Sequence, residues 1–217
     1  MRVIGLIGGM SWESTAVYYR LLNEAVRDRL GGFASADILL RSVNFADIVP
    51  LQQAGRWDEA ADRLARIARE LETAGAACIL LCTNTMHKLA DRVQAAVAAP
   101  LIHIVDVTES ALVRAGARRP LLLATAYTME QDFYLGRMRR SGRLDPMVPG
   151  AADRALVHRI IFEQLCRGVI LEDSRAQYRR IIAAARDAGA DSVILGCTEI
   201  GLLIGAADSC LPVFDST

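Results

Sequence analysis

Two short polar segments each follow an apolar stretch, and their side chains are of the types that transfer protons and bind carboxylates. The first is Cys82-Thr-Asn-Thr85, and the second is Gly196-Cys-Thr-Glu199. A thiol can give or take a proton near neutral pH, and hydroxyl, amide and helix N-terminal N–H groups can hold an anion. We predict a site that binds a carboxylate, with Cys197 at the mouth of a helix whose dipole lowers the pKa of the thiol.

A third turn, Gly8-Gly-Met-Ser11, follows the first apolar stretch and leads into a long amphipathic segment. A glycine turn before a helix can bind an anion through backbone N–H groups. Its spacing matches neither a dinucleotide-binding fingerprint nor a P-loop, which argues against a nucleotide ligand. Lys88 is the only lysine, and nothing around it resembles the Schiff-base site of a pyridoxal phosphate enzyme. We therefore predict a site that works without a cofactor.

Composition and charge limit the class of protein. The chain has 217 residues, of which 53% are hydrophobic and 23% charged, with a formal net charge of +0. These values fit a globular protein with a substantial core and favour neither a nucleic acid nor a membrane as partner. No stretch reaches the ~18 consecutive apolar residues of a membrane span, and the N-terminus lacks a signal peptide pattern. We predict a cytoplasmic protein.

The cysteines and histidines indicate neither disulfides nor a metal. The five cysteines form no CxxC pair, and in an unsecreted chain they are expected to be free thiols. The three histidines, at positions 87, 103 and 158, have no zinc-ligand spacing. We predict no metal site and assign no catalytic role to any histidine.

Short apolar stretches alternate with longer amphipathic segments, a pattern typical of parallel sheets flanked by helices. The predicted strands are Val3–Ile7, Asp37–Ser42, Ala77–Leu81, Leu101–Ile104, Pro120–Leu123, Pro146–Val148, Ser192–Leu195 and one near Val213. The predicted helices are Ser14–Leu30, Trp57–Ala74, Thr85–Ala98, Asp106–Ala115, Met129–Arg140, Asp153–Cys166 and Arg175–Ala188.

The two halves of the chain contain similar segments. Residues 68–85 and 183–199 each read as a helix, an Ala-Gly-Ala turn, an apolar strand and a polar turn with Cys and Thr. Any helix–turn–strand unit might show this by chance, which is the alternative explanation. We predict an α/β fold of two similar lobes, related by a pseudo-twofold axis, with the active site in the cleft between them. The first lobe comprises residues 1–98 plus 205–217, and the second comprises residues 99–204.

Four motifs occur in order along the whole chain: Gly8-Gly-Met-Ser-Trp12, Asn84-Thr-Met-His87, Tyr127-Thr-Met-Glu-Gln-Asp-Phe-Tyr134 and Gly196-Cys-Thr-Glu199. This set resembles the aspartate/glutamate racemases, part of the Asp/Glu/hydantoin racemase group, and in particular the branch that prefers the L forms. The resemblance implies a cofactor-independent amino-acid racemase, in which one residue removes the Cα proton and another returns a proton to the opposite face. It also implies L-aspartate, L-glutamate or their D forms as substrate, and a homodimer.

The sequence departs from the family in one of the two proton-transfer positions. Most members have a cysteine directly before the Asn-Thr pair, whereas here Thr83 precedes Asn84 and Cys82 is one place earlier. Adjacent side chains on an extended chain face opposite ways, so we predict Thr83 in the site and Cys82 packed behind it. The predicted catalytic pair is Cys197 and Thr83, with slow or one-sided turnover because a hydroxyl is a poor proton acceptor.

Further substrate-binding residues are implied by the resemblance: Met10, Gln52, Asn84, Thr85, Thr125, Gln164, Thr198 and Glu199. Thr125 lies in a Leu-Ala-Thr version of a family Leu-Gly-Thr turn. Gln164 stands where some relatives place a lysine for the side-chain carboxylate, which weakens any expectation of strict aspartate specificity. For Gln52 and Gln164 an ordinary solvated position is the alternative. Relatives continue into a closing helix that starts around the position of Asp215, close to where this sequence ends.

Two other functions fit the same residues. Single-cysteine members of the wider group decarboxylate malonates or isomerise maleate, and Thr83 in place of a cysteine favours comparison with them. A non-catalytic amino-acid sensor is the third possibility, although Cys197 in its Gly-Cys-Thr context argues against it. Exchange of the Cα proton of aspartate with solvent deuterium distinguishes the racemase from both.

Overall fold

A computed structural model of the chain describes residues 2–217 and contains two compact α/β units. The first unit extends to His103 and includes Thr217, and the second comprises Ile104–Ser216. Each unit has a wholly parallel sheet flanked by helices, so the predicted fold class is confirmed. The pseudo-twofold axis and the cleft stay predictions.

The unit boundaries differ from the predicted ones. Residues 99–103 belong to the first unit because Leu101–Ile102 pairs with the strand containing Ile79 and Leu80. Residues 205–216 belong to the second unit, not the first, because Val213–Asp215 pairs with Val193–Leu195. Backbone pairing therefore decides both boundaries.

The first unit has a four-stranded sheet in the order β2-β1-β3-β4. Its strands are β1 (Ile4–Gly8), β2 (Ile38–Ser42), β3 (Cys78–Leu81) and β4 (Leu101–Ile102). Its helices are α1 (Trp12–Leu30), α2 (Val49–Gln53), α3 (Trp57–Thr73) and α4 (Ala90–Gln94), with 3-10 turns at Phe45–Asp47 and Thr85–Leu89. Two apolar clusters lie in this unit, the larger around Ile7, Leu64 and Ile79 and the smaller around Leu6, Tyr18 and Cys82.

The second unit has a three-stranded sheet in the order β5-β6-β7. Its strands are β5 (Pro120–Leu123), β6 (Ser192–Leu195) and β7 (Val213–Asp215). Its helices are α5 (Ile104–Arg114), α6 (Ala126–Glu130), α7 (Asp132–Arg139), α8 (Ala151–Glu163), α9 (Glu172–Asp187) and α10 (Ile200–Leu203), with 3-10 turns at Leu165–Arg167 and Ala206–Asp208. Both β5 and β6 are buried along their whole length, as parallel strands covered on both faces must be.

Two predicted elements are wrong. The helix expected over Thr85–Ala98 is a 3-10 turn followed by the short α4. Side chains hold the backbone beyond Gln94: Gln94 accepts from the N–H of Leu101, and Glu72 accepts from the N–H groups of Ala98 and Ala99. These contacts override the helix propensity of the alanine-rich segment. The strand expected at Pro146–Val148 is only an isolated bridge between Met147 and Leu121.

The similar segments of the two halves have similar local structure. Helix α3 is followed by Gly75 and then β3, and helix α9 is followed by Gly189 and then β6. Both glycines have a left-handed φ, of 101° and 95° respectively. In each unit the polar turn then follows the carboxyl end of the strand, where ligands bind in open parallel sheets.

The first turn after β1 depends on a glycine that has no room for a side chain. Gly9 has φ 85°, and a Cβ built there would lie 2.1 Å from the carbonyl oxygen of Val43. The N–H of Gly9 donates to Thr15 Oγ1 at 2.8 Å, and the Thr15 hydroxyl donates to the carbonyl of Ser11 at 2.8 Å. The turn is therefore fixed to both α1 and the segment after β2.

Gly9→Ala is expected to destabilise the protein by at least about 3 kcal/mol, because it combines a left-handed residue with a backbone clash. Gly75→Ala is the matched control, since Gly75 has φ 101° but nothing lies within 4 Å of its added Cβ. That substitution should cost only about 1–2 kcal/mol. Urea unfolding of both variants measures the difference, and equal losses would show that the clash at Gly9 is relieved at little cost.

In the described part of the chain, no helix is long and apolar enough to cross a membrane.

Candidate functional site

Two of the predicted site segments lie at one edge of the first unit's sheet. The turn Gly8–Ser11 follows β1, and the turn Cys82–Thr85 follows β3. Strands β1 and β3 are parallel neighbours, so their carboxyl ends bring the two turns to the same edge. Met10 and the residues of the second turn are buried. The structure therefore groups Met10, Thr83, Asn84 and Thr85.

Cys82 and Thr83 have different surroundings. Cys82 is fully buried in the small apolar cluster with Leu6 and Tyr18 of α1. Burial raises the pKa of the Cys82 thiol to about 12, so this thiol stays protonated at neutral pH. Thr83 is also buried, and its N–H donates to the carbonyl of Leu81 at 2.8 Å. The environment of Cys82 is that of a core residue, and the choice of Thr83 as the site residue stays a prediction.

His87 holds the turn that carries Thr83. Its Nδ1 lies 2.7 Å from the carbonyl oxygen of Thr83, a contact in which the ring N–H donates. The backbone N–H of His87 also donates to the carbonyl of Asn84 at 3.0 Å. The ring packs against His103, with 4.7 Å between centroids. His87 thus holds the turn of Thr83 in place, a contact that residue spacing alone did not reveal.

Gln52 and Lys88 occupy defined positions in the same unit. Gln52 is buried in α2, so the alternative of an ordinary solvated position is wrong for this residue. Lys88 Nζ lies over the ring of Trp57, 4.2 Å from its centroid. The single lysine of the chain therefore lies against an aromatic ring.

In the second unit, one carboxylate oxygen of Glu199 accepts hydrogen bonds from the two residues that precede it. The thiol of Cys197 donates to Glu199 Oε2 at 2.9 Å, and the hydroxyl of Thr198 donates to the same oxygen at 3.0 Å. Glu199 is buried, whereas Cys197 and Thr198 are half-buried. The turn begins at Gly196, whose N–H donates to the carbonyl of Leu123 at 2.7 Å. The thiol therefore has a proton acceptor in direct contact.

The prediction that a helix lowers the pKa of Cys197 is wrong for this structure. Burial raises the pKa of the Cys197 thiol well above its ordinary value, and the negative charge of Glu199 and the hydrogen bond to it raise it further. The following helix, α10, has only four residues, so its dipole is small. Cys197 is therefore a thiol at rest.

Thr125 follows β5, the neighbour of β6, and so lies at the same sheet edge as Cys197. Its hydroxyl is 3.3 Å from that of Thr128. The next backbone N–H, of Ala126, donates to His158 Nδ1 at 3.2 Å. Burial lowers the pKa of His158, although the nearby carboxylate of Glu130 opposes this. His158 therefore acts as a neutral acceptor that fixes the start of α6, a role that no motif in the sequence indicates.

Gln164 is bonded within the second unit rather than freely solvated. Its Oε1 accepts from the hydroxyl of Ser174 at 2.6 Å. Close to it in sequence is Cys166, a half-buried free thiol. Burial raises the pKa of Tyr178 well above its usual range, and the nearby Cys197 and Cys166 raise it further. Tyr178 and Cys166 thus form part of the surroundings of Cys197, and no short motif in the sequence marks them.

Glu199→Gln is expected to lower the pKa of Cys197, because it removes the negative charge that stabilises the protonated thiol. Alkylation by iodoacetamide requires the thiolate, so its half-maximal rate should move to lower pH than in the parent protein. Peptide mass spectrometry at Cys197 across a pH series measures this.

Thr198→Val is the control for that experiment, because it removes a hydroxyl from Glu199 but keeps the charge. It should leave the pKa of Cys197 raised. An alkylation profile of Glu199→Gln that stays in place, or moves to higher pH, would contradict the assigned cause.

The residues described by the structure contain no group of three or more His, Cys, Asp or Glu side chains that could hold a metal ion. All five cysteines are free thiols, as predicted.

Comparisons with known proteins cover the whole chain. A family model described as Asp/Glu/Hydantoin racemase matches residues 7–217. The crystal structure of a candidate Asp/Glu racemase from Yersinia pestis has 49% sequence identity and a TM-score of 0.92, covering 100% of this chain and 94% of that chain. An aspartate racemase homologue from Pyrococcus horikoshii OT3 has 34% identity and a TM-score of 0.85, with the same coverage.

A third solved structure has a similar fold at a lower sequence identity. The aspartate racemase of Picrophilus torridus is 21% identical with a TM-score of 0.81, covering 100% of this chain and 89% of that chain, and at this identity it supports the fold alone. The resemblance inferred from the four motifs is confirmed, and with it the enzyme class of amino-acid racemase, an isomerase. Because the family model spans almost every residue and two relatives exceed 30% identity over the full chain, this protein belongs to the Asp/Glu/hydantoin racemase family.

Proposed function

We propose that this protein racemises an acidic amino acid, aspartate and/or glutamate, using side chains alone. The observation that carries the proposal is the hydrogen bond from the Cys197 thiol to Glu199 Oε2, within a chain of a racemase family. The thiol of Cys197 can exchange a proton with Cα of the substrate, and the carboxylate of Glu199 can receive the proton that the thiol carries at rest.

In the proposed reaction, Cys197 first transfers its proton to Glu199. The S–H bond breaks, an O–H bond forms, and the resulting thiolate removes the Cα proton of the substrate. The electron pair of the broken C–H bond moves into the adjacent carboxylate, giving a planar carbanion. The Thr198 hydroxyl, bonded to the same Glu199 oxygen, keeps that oxygen oriented toward the thiol. Glu199 is thereby a positioning and proton-accepting residue for Cys197.

We propose that Thr83 serves the opposite face of the carbanion. Its hydroxyl gives a proton to Cα. Before the next turnover the resulting alkoxide takes a proton from solvent and Glu199 releases to solvent the proton it received from Cys197, so both residues return to their starting states. A hydroxyl is far too weak an acid to be ionised at rest. Thr83 is therefore a poor base for removing the Cα proton in the reverse reaction. One direction of racemisation is therefore expected to be slower per bound substrate than the other.

We propose that Asn84, Thr85 and Thr198 hold the α-carboxylate and amino group of the substrate, and that Met10 and Gln52 border it. Thr125 and Gln164 are proposed as further binding residues, and Glu199 is positioned next to Cys197. Two of these side chains are oriented by hydrogen bonds within the second unit, Thr125 by Thr128 and Gln164 by Ser174. Gln164 offers an amide where a lysine would offer a charge, so the side-chain carboxylate is bound by hydrogen bonds rather than by an ion pair. Discrimination between aspartate and glutamate is expected to be weak.

The experiment is incubation of the purified protein with each enantiomer of aspartate and glutamate in deuterium oxide. Proton NMR follows the loss of the Cα signal, and chiral chromatography follows the enantiomer ratio. Loss of the Cα proton together with formation of the other enantiomer supports the proposal. Absence of exchange from all four substrates would refute it.

A second candidate function is favoured by one observation. The only thiol in the turn after β3, Cys82, is fully buried, so that turn offers a hydroxyl rather than a thiol. This is the arrangement expected of a single-cysteine enzyme that decarboxylates a malonate or isomerises maleate. Conversion of those dicarboxylates without Cα exchange of amino acids would select this function. Tight amino-acid binding with neither reaction would instead indicate a sensor.

The partner of the site is a small molecule, as expected of the family. We infer a homodimer as the assembly, as the resemblance to the family implies. The cytoplasmic location stays a prediction.

A further inference from the structure

A buried tyrosine of the second unit has a hydroxyl that forms no hydrogen bond at rest. Tyr178 of α9 is fully buried, and among the residues that the structure describes its Oη has no hydrogen-bond partner. A buried hydroxyl without a partner is unfavourable, and a phenylalanine would fill nearly the same space without that cost. The unpaired donor therefore indicates a partner that is present in another state of the protein.

One face of α9 contacts the segment that carries Cys166. Ser174 precedes Tyr178 by four residues and so lies on the same face of the helix. Its hydroxyl donates to Gln164 Oε1 at 2.6 Å. Gln164 directly precedes the 3-10 turn Leu165–Arg167, so the Tyr178 face of α9 lies against the start of that turn.

The same face of α9 contacts the segment that follows Cys197. Arg175 precedes Tyr178 by three residues, and its guanidinium donates to the carbonyl of Leu203, the last residue of α10. Helix α10 begins shortly after Cys197 and packs against the 3-10 turn Leu165–Arg167. Tyr178 therefore lies where the two thiol-bearing segments meet.

The electrostatics agree with this position. Burial raises the pKa of the Tyr178 phenol well above its usual range, and Cys197 and Cys166 raise it further, so the phenol stays protonated near neutral pH and can donate. The titratable groups that act on Cys197 from its own turn and from the 3-10 turn are Glu199 and Cys166, and both raise its pKa. The thiolate of Cys197 is thus disfavoured unless a donor stabilises it.

We propose that Tyr178 is a positioning residue whose hydroxyl donates a hydrogen bond to the thiolate of Cys197. At rest the thiol donates to Glu199 Oε2 at 2.9 Å, and the sulfur carries no charge. When the proton passes to Glu199, the sulfur becomes negative and the phenol hydroxyl turns to it. Because this bond forms only in the charged state, it stabilises the reactive form without stabilising the resting one.

The first test measures alkylation of Cys197 by iodoacetamide across a pH series in Tyr178→Phe, with peptide mass spectrometry to separate this thiol from the other cysteines. Loss of the donor should move the rate profile to higher pH by roughly one unit, which is a ~10-fold slower reaction at a fixed pH below the midpoint. The direction is opposite to that expected for Glu199→Gln. The inference rests on the proposed role of Cys197, but this test needs no substrate.

Tyr134→Phe is the matched control for that substitution. Tyr134 is another fully buried tyrosine of the second unit, and the groups that shift its pKa are the surrounding core and Thr108 rather than a thiol. This variant should leave the profile of Cys197 in place. A shift equal to that of Tyr178→Phe would show a general effect of buried hydroxyls and would overturn the proposal.

The melting temperature separates this role from a structural one. Removal of a hydroxyl that holds the fold lowers the melting temperature, whereas removal of an unpaired one leaves it unchanged or raises it. We expect Tyr178→Phe to melt at or above the parent temperature while Cys197 reacts more slowly. A clear fall in melting temperature contradicts the proposal, and so does a Cys197 profile that stays in place or moves to lower pH.

The acceptor of the hydrogen bond is identified in a Cys166→Ala background. Cys166 is a second thiol close to Tyr178, so the Tyr178→Phe comparison is repeated without it. The shift at Cys197 should persist, because the proposed acceptor is still present. Its disappearance would assign the donor to Cys166 and refute the role at Cys197.

Turnover gives an independent readout. In Tyr178→Phe, kcat for Cα-proton exchange should fall by about 10-fold with KM unchanged, since the phenol acts on the thiolate and not on the substrate. A raised KM with kcat unchanged would make Tyr178 a substrate-binding residue and overturn the proposal. If the parent protein exchanges no Cα proton, the proposed racemisation fails, whereas the alkylation profiles still decide the role of Tyr178.

Discussion

Cys197→Ser is expected to reduce Cα-proton exchange of aspartate and glutamate by about 10²–10⁴-fold, the usual contribution of a positioned acid–base group. A serine hydroxyl can still donate to Glu199, so the hydrogen bond at Oε2 is kept while the acidity is lost. Exchange is the appropriate measurement, because it reports proton removal even when no enantiomer accumulates. Proton NMR in deuterium oxide measures it for each enantiomer.

Cys210→Ser serves as the matched control for that substitution. Cys210 is an exposed free thiol in the same unit, so it tests whether loss of any thiol changes the rate. It should leave exchange within about twofold of the parent rate, the range left by surface changes of ±0.5 kcal/mol. Cα-proton exchange at the parent rate in Cys197→Ser would show that Cys197 does not transfer the proton and that the turn Gly196–Glu199 only binds the substrate.

Thr83→Ala is expected to abolish net racemisation while one enantiomer still exchanges its Cα proton with retention of configuration. The thiol side remains intact in this variant, but no group on the other face returns a proton. Net conversion should fall by about 10²-fold or more, and Thr83→Ser, which restores the hydroxyl, should recover most of it. Chiral chromatography combined with deuterium content distinguishes this outcome from simple inactivation.

Cys82→Ala provides the opposite comparison. Cys82 is fully buried against Leu6 and Tyr18, so its truncation leaves a small cavity and costs about 1 kcal/mol of stability. Turnover should be close to that of the parent protein. If Thr83→Ala left both directions unchanged and Cys82→Ala abolished them, the assignment of the two residues would have to be exchanged.

The inner strands β3 and β6 were predictable because they contain short, continuous apolar stretches. Residues 79–81 and 193–195 are wholly aliphatic, which is typical of buried parallel strands. The division of the chain was less accessible, because it depends on which strand pairs with the last one. Residues 213–215 carry no sequence signal that selects β6 over a strand of the first unit, and the pairing is a long-range contact.

The residues of the site stay a prediction, and the electrostatics expected for Cys197 were wrong. The motif Gly196-Cys-Thr-Glu199 placed a thiol beside a carboxylate and a helix start. Whether the thiol is acidic depends on which way the Glu199 side chain points and how deeply it is buried, and both follow from packing. In the structure Glu199 Oε2 accepts a hydrogen bond from the thiol. The carboxylate therefore raises the pKa of Cys197 by more than the short helix α10 can lower it. Likewise the hydrogen bond from His87 to the carbonyl of Thr83 depends on the 3-10 turn at Thr85–Leu89, where the sequence predicted an α-helix.

The different contacts of Cys82 and Thr83 also bear on how such an enzyme can diversify. One residue of the pair belongs to the core, beside Tyr18, and the next belongs to the turn that His87 holds. Under the proposed assignment, a hydroxyl can be exchanged for a thiol at position 83 without repacking the cluster of Leu6 and Tyr18, and position 82 can vary without changing a proton-transferring group. Protein stability and the balance between the two directions of racemisation would then depend on two separate, adjacent positions.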